Sequence, residues 1–173
     1  MIKFYSMKYI IVLTLLFSAK LIFSQDYVLT TDDKKNEPML MGTVTRSLLK
    51  ENSFGEWFNK NYDAHKLDLK SLDKVNKDFT NLKILIVLGT WCGDSKEFVP
   101  PFLKILDHLN FPESNLKLVC VNRQKQGIAD EVKDLNVQLV PLFIFYRDNK
   151  EIGRIIESPK EWLEKDFLRI TSE

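Results

Sequence analysis

The run Thr90-Trp91-Cys92-Gly93-Asp94-Ser95 puts a thiol, a carboxylate and a hydroxyl within four residues. Five apolar residues, Ile84–Leu88, precede it as a buried strand, Gly89-Thr90 ends that strand, and a helical pattern follows over Ser95–Leu109. A cysteine at such a junction meets the first unpaired backbone N–H groups of the helix. Their partial positive charge favours thiolate over thiol, which makes the sulfur a better nucleophile. In a Cys-x-x-Cys pair the first sulfur attacks a disulfide and the second resolves the mixed disulfide. Here the second position is Ser95, and that change governs the chemistry open to this chain.

The elements that must position this motif alternate from residue 82 onward. The pattern predicts strands at Leu82–Leu88, Leu116–Val121, Leu142–Tyr146 and Glu151–Ile156, with helices at Ser95–Leu109, Ile128–Leu135 and Pro159–Ile170. Asp148-Asn149 between two β-rich runs signals a hairpin, and Ser158-Pro159 reads as a helix start. One parallel crossover followed by an antiparallel hairpin gives an α/β fold with a mixed central sheet between helical layers. Upstream, Leu48, Leu49, Phe54, Trp57, Phe58 and Tyr62 fall at helical spacing, with Ser53 as N-cap and Glu56 completing a capping box. A further helix is expected over Asp68–Phe79. Helical spacing makes the aromatic residues of 54–62 core packing rather than a partner-binding stripe.

A chain of 173 residues with 45% apolar residues is one domain's worth with some decoration. The formal charge is +1, but residues 1–24 carry Lys3, Lys8 and Lys20 and no acid, leaving 22 basic against 24 acidic residues beyond them. That balance offers no electrostatic footprint for nucleic acid or an anionic membrane. The N-terminus has the parts of an export signal: Lys3 and Lys8, the apolar run Tyr9–Phe17, and Ser24 before Gln25 as a cleavage point, with Met7 an equally good start. Lys20 interrupts the apolar run, so no stable membrane span is expected once the signal is removed, and the chain is read as periplasmic or secreted. The organisation expected is a signal over 1–24, a flexible polar leader over 25–42, a helical extension over 43–80 and an α/β domain over 81–173, with 43–173 forming one compact unit.

The strand before Trp-Cys-x-x-Ser, the helix after it, and Val140-Pro141 about 50 residues downstream together resemble the thioredoxin-like superfamily over residues 82–170. The stretch Phe54-Gly-Glu-Trp-Phe-Asn-Lys-Asn-Tyr62 looks like the N-terminal extension of exported bacterial members that carry Thr-Trp-Cys-Gly-Asp-Ser. The resemblance implies a three-layer thioredoxin-like fold and a cis proline at Pro141 beside the nucleophile. It also implies a substrate surface of Trp91, Gly93, Asp94, Val140 and Pro141, on which the backbone of Val140 pairs with an extended substrate as an added strand would. The chain departs from thioredoxin at Ser95, at Asp94 where thioredoxin has proline, and at Ile86, which replaces the buried acid that serves the second thiol.

One thiol can attack a disulfide but cannot resolve the product alone. Cys92 is the catalytic candidate, and Ser95 is expected to donate a hydrogen bond to its thiolate. Asp94 opposes the thiolate by charge while suiting the helix N-terminus. Three uses follow: a monothiol exchange or isomerisation site, a binding module with the same groove and little turnover, or a plain helix-capping cysteine. The partners expected are protein thiols or disulfides and an external thiol reductant, with no metal and no cofactor. Cys120, in the apolar strand 116–121, reads as a small hydrophobe. His65 reads as solvated, and His108 as a charge suited to a helix C-terminus. The loop Asn122–Gly127 is expected to flank Cys92 with positive charge.

Overall fold

A computed structural model describes residues 26–172 of the chain; the expected signal segment lies outside the described residues. Six strands, β1 (Tyr27–Thr31), β2 (Pro38–Val44), β3 (Leu82–Leu88), β4 (Leu116–Cys120), β5 (Leu142–Arg147) and β6 (Lys150–Ile156), form one sheet in the order β1-β2-β4-β3-β5-β6. β3 and β4 are parallel, and every other neighbouring pair is antiparallel. The helices are α1 (Arg46–Lys50), α2 (Asn52–Ala64), α3 (Leu69–Leu72), α4 (Gly93–His108) and α5 (Leu163–Thr171). This is the mixed-sheet α/β architecture that the element pattern predicts, and the thioredoxin-like fold that the resemblance implies.

The two-residue period of the strands divides the core. Ile84, Ile86 and Leu88 of β3 share one buried cluster with Leu118, Cys120, Phe143 and Phe145 and with helix residues such as Phe58, Phe102 and Phe167. Phe102 of α4 lies 4.5 Å from Phe143 and 6.0 Å from Phe167 by ring centroids, so aromatic packing joins both helices to the sheet. Val87, Val119, Val121, Leu142 and Ile144 point to the opposite face, where Val132 and Val140 cover them. With both faces buried, β3 and β4 read as nearly unbroken apolar runs, as parallel strands do.

Five expectations need correction. The flexible leader expected over 25–42 is replaced by the β1–β2 hairpin (27–44), which extends the sheet through β4. Its outer strand exposes Leu29, so the polar signal came from the turn and the solvent side. The segment 128–135 winds through turns rather than a helix. Val132 is its one well-buried residue, too little apolar face to hold so short a helix. The helix expected over 68–79 stops at Leu72, because beyond it the Asn76 and Asp78 side chains bond the backbone N–H groups of Asp78 and Thr80 and replace helical partners. α5 begins at Leu163 rather than Pro159: Glu157 donates its N–H to Pro141 O (2.7 Å) and Lys160 to Asp166 Oδ2 (2.7 Å), which commits 157–160 to tertiary ties. Likewise Ser53 lies inside α2 and caps nothing, since that helix starts one residue earlier, after Glu51.

α4, which carries the Cys92 motif at its start, contains Pro100 and Pro101. Pro100 has no N–H for the carbonyl of Lys96. The Asn61 side chain supplies the missing donor, bonding Lys96 O at 3.0 Å while also holding Trp57 O at 3.0 Å on its own helix. Thus α2 repairs the gap that the prolines leave in α4 and fixes the two helices together.

Candidate functional site

β3 ends at Leu88, and the chain turns through Gly89–Cys92 with Cys92 N–H donating to Gly89 O at 2.9 Å. Cys92 takes the N-cap position of α4 with extended backbone (φ −89°, ψ 130°), and its side chain makes no capping bond. The plain helix-capping use of this cysteine therefore has no support, since the sulfur is not engaged with the helix N–H groups. Its Sγ donates instead to Val140 O at 3.2 Å, and lies 4.0 Å from Asp94 Oδ2. The Val140–Pro141 bond is cis, and its loop is the wall against which the thiol rests. Gly93 is exposed, and a Cβ placed on it would meet nothing within 4 Å, so the approach to the sulfur from that side is open.

Ser95 behaves differently from expectation. It is fully buried, and its Oγ accepts the Gly89 N–H at 3.1 Å rather than donating to Cys92. A strand-ending N–H facing the core needs an acceptor, and the hydroxyl one turn into α4 is the group within reach. Ser95 thereby locks the β3–α4 turn, and Cys92, three residues earlier, is left half-buried at the helix start. Ile86 is fully buried and apolar, six residues before Cys92.

Trp91 forms the other wall. Its indole Nε1–H donates to Val121 O at 2.8 Å, and its ring lies so close over Gly89 that a Cβ there would sit 2.6 Å from Cε2. Glycine is required at 89 for this close approach. Arg123 stacks on the indole at 4.6 Å and Lys125 at 5.5 Å, so the 122–127 loop does flank the site with cations. The N-terminal hairpin reaches the same place. Asp32 takes a two-point bond from Arg123, Nε to Oδ1 at 2.5 Å and Nη2 to Oδ2 at 2.8 Å, and Leu40 N–H donates to Thr90 Oγ1 at 3.2 Å. The Arg123 hydrogen bond holds the Asp32 carboxyl below the usual carboxylate range, and Asp32 in turn holds Arg123 above its ordinary value.

Sequence reasoning missed Asp32, Thr90 and Leu40 as parts of the site. Asp32 and Arg123 are 91 residues apart, and Asp32 lies in a polar turn with no local sign of its partner. Cys120 is fully buried on the helix-facing side of the sheet, whereas Cys92 packs against the opposite cluster; burial pushes the Cys120 thiol far up, away from thiolate. His65 is not solvated but bonds Glu164 Oε1 at 2.7 Å, far from any redox chemistry in sequence and tied to α5. Among the described residues no three His, Cys, Asp or Glu side chains converge as metal ligands, and no helix is long and apolar enough to cross a membrane.

A family model described as thioredoxin matches residues 47–166. Among curated proteins the chain is 29% identical over 116 residues to an H-type thioredoxin of Picea mariana, covering 67% of this chain and 78% of that one. It is 28% identical over 105 residues to a TPR repeat-containing thioredoxin of Arabidopsis thaliana, covering 61% of this chain and 26% of the relative. It is 25% identical over 87 residues to a thioredoxin-like protein of Acanthamoeba polyphaga mimivirus, covering 50% of this chain and 61% of the relative. The chain thus spans less than two thirds of the length of the latter two.

Ser95→Ala removes the acceptor of a buried N–H, and urea unfolding should show a loss of about 1–3 kcal/mol. Unchanged stability would mean that Ser95 does not hold the turn.

Proposed function

The chain belongs to the thioredoxin family, and from that premise we propose that it is a monothiol member acting on protein disulfides. The Cys92 thiolate attacks one sulfur of a partner disulfide, forming a Cys92–partner disulfide and releasing the partner's other sulfur as thiolate. An external thiolate then attacks the partner's sulfur in the mixed disulfide and returns Cys92 as thiolate, or a different thiolate of the partner attacks that sulfur, returning Cys92 and leaving the partner with a new disulfide pairing, which is isomerisation. The observation that carries this reading is the division of labour between Cys92 and Ser95. Cys92 is part-exposed at the start of α4 with its sulfur on Val140 O and nothing over the neighbouring Gly93, while the residue at the resolving position is spent inside the core on Gly89 N–H.

The neighbouring residues fit a groove for an extended partner. Trp91 and Cys92 pack against the same cluster as Val140, the sulfur rests on Val140 O, and Gly93 leaves space beside it. Val140 O, which accepts the thiol in the free protein, becomes available to a partner N–H once the sulfur has lost its proton. Asp94, in the first turn of α4, stands beside the sulfur and repels acidic partner segments. We place this activity outside the cytoplasm, on the strength of the Lys3–Ser24 composition; a secreted or periplasmic product whose N-terminal sequence starts at Gln25 supports that placement, and a chain retained in the cytoplasm opposes it.

Catalytic amounts of the protein should reduce insulin only slowly with a dithiol as reductant, while incubation with oxidised partner proteins should yield long-lived mixed disulfides that Cys92→Ala abolishes. Dithiol-like turnover by the natural sequence would contradict the monothiol mechanism. Trapping without any exchange or isomerisation would reduce the protein to a binding module.

A further inference from the structure

We propose that Asp32 is a positioning residue for Cys92, holding the Arg123 guanidinium over the Trp91 ring so that the N-terminal hairpin sets the charge beside the nucleophile. The proposal rests on the reading of Cys92 as a nucleophile and adds a residue 60 positions upstream of it.

Asp32 is 1% exposed, a burial that a carboxylate tolerates only when its oxygens are satisfied. Its turn fixes the Asp32 backbone and supplies one donor to the carboxylate. Asp32 N–H donates to Glu37 O at 2.8 Å, Asn36 N–H donates to Asp32 O at 2.9 Å, and Lys35 N–H donates to Oδ2 at 3.2 Å, leaving the carboxylate aimed across the sheet edge at Arg123. The two-point bond fixes the guanidinium plane as a single contact could not. Asp32 uses Nε and Nη2, so the Nη1 donors have no bond among the described residues and face away from the carboxylate. A structural tie between hairpin and sheet could use any cation along the edge. This one lies on the ring of the residue immediately before Cys92.

The charged groups around the sulfur come from three directions. α4 supplies Asp94 at 4.0 Å, and the 122–127 loop supplies Arg123 and Lys125 against Trp91. The hairpin supplies Asp32 behind Arg123, with Asp33 also acting on that cation, while the 137–141 loop carries no charge. A negative Cys92 sulfur is itself among the charges that favour the Arg123 cation, after Asp32, and the same attraction acts in reverse on the sulfur. Asp32 therefore has two opposed effects: it partly neutralises Arg123 and it keeps Arg123 in place. The fork geometry makes placement the dominant effect.

The test compares alkylation of Cys92 by iodoacetate, which is anionic, and by iodoacetamide, which is neutral, across pH, with the modified residue identified by peptide mass. Iodoacetate benefits from a fixed cation beside the sulfur, so the ratio of the two rates reads that cation directly. The ratio should fall by about threefold or more in Arg123→Gln and in Asp32→Asn alike. Asp32→Glu should keep much of the natural ratio. An unchanged ratio in Arg123→Gln would overturn the proposal, since Arg123 would then not act on the sulfur. A higher ratio in Asp32→Asn would also overturn it, because Asp32 would then be only a counter-charge. Reaction of Cys92 with neither reagent in the natural protein would overturn the nucleophile reading itself, and this proposal with it.

Discussion

The hydrogen bond from Gly89 N–H to Ser95 Oγ holds together the turn on which the site depends. A strand buried on both faces must release its chain into a helix without leaving core-facing polar groups unpaired. Ser95 does this one turn into α4, and in doing so it becomes part of the core. The residue three positions earlier is then forced to the outer end of the helix, where its sulfur finds Val140 O and open space over Gly93. Absence of a side chain at Gly89 lets Trp91 fold back over the same turn and bond Val121 O at the end of the neighbouring strand. The position of Cys92 at the start of α4 and the fold-back of Trp91 thus both follow from one turn geometry.

That turn is braced from two outside elements. α2 fills the hydrogen-bonding gap that Pro100 opens in α4, through Asn61 to Lys96 O. The β1–β2 hairpin extends the sheet beyond β4 and reaches the junction twice, through Leu40 to Thr90 and through Asp32 to Arg123. Gly42 permits the hairpin to seat there: its φ of +92° and the 2.4 Å from a Cβ position to Asp26 O leave no room for any other residue without distortion. The segment upstream of the conventional domain is therefore structural support for the chemistry. Its aromatic residues share the core cluster of the sheet, as Phe54 and Phe58 show.

The chain sequence makes the local features of this arrangement readable and conceals the distant ones. The β3–α4 junction is legible because an apolar run, two turn residues and a helical period follow one another without interruption. The β5–β6 hairpin is legible because Asp148 and Asn149 tolerate the left-handed backbone (φ 51° and 62°) that a tight two-residue turn demands. The placement of Val140-Pro141 against Cys92 follows from the family resemblance rather than from any local rule. By contrast, Thr30–Pro38 looks like a solvated leader because its composition reflects a turn, and the sheet edge that orders it lies some 80 residues away. The role of Ser95 is also hidden: hydroxyls serve equally as donors and acceptors, and only the fold decides that the Gly89 amide, not the thiol, is its partner. The 128–135 segment has a helical period, but packing on Val132 alone favours turns that follow the sheet surface.

The central claim, that one thiol does the chemistry and no second one resolves it, is tested most directly by the stoichiometry of reaction with 5,5′-dithiobis(2-nitrobenzoic acid) on the folded natural chain. The account predicts release of one thionitrobenzoate per chain, with the second left attached to Cys92 as a stable mixed disulfide. Release of two per chain, with no adduct and a disulfide joining Cys92 to Cys120, would contradict it.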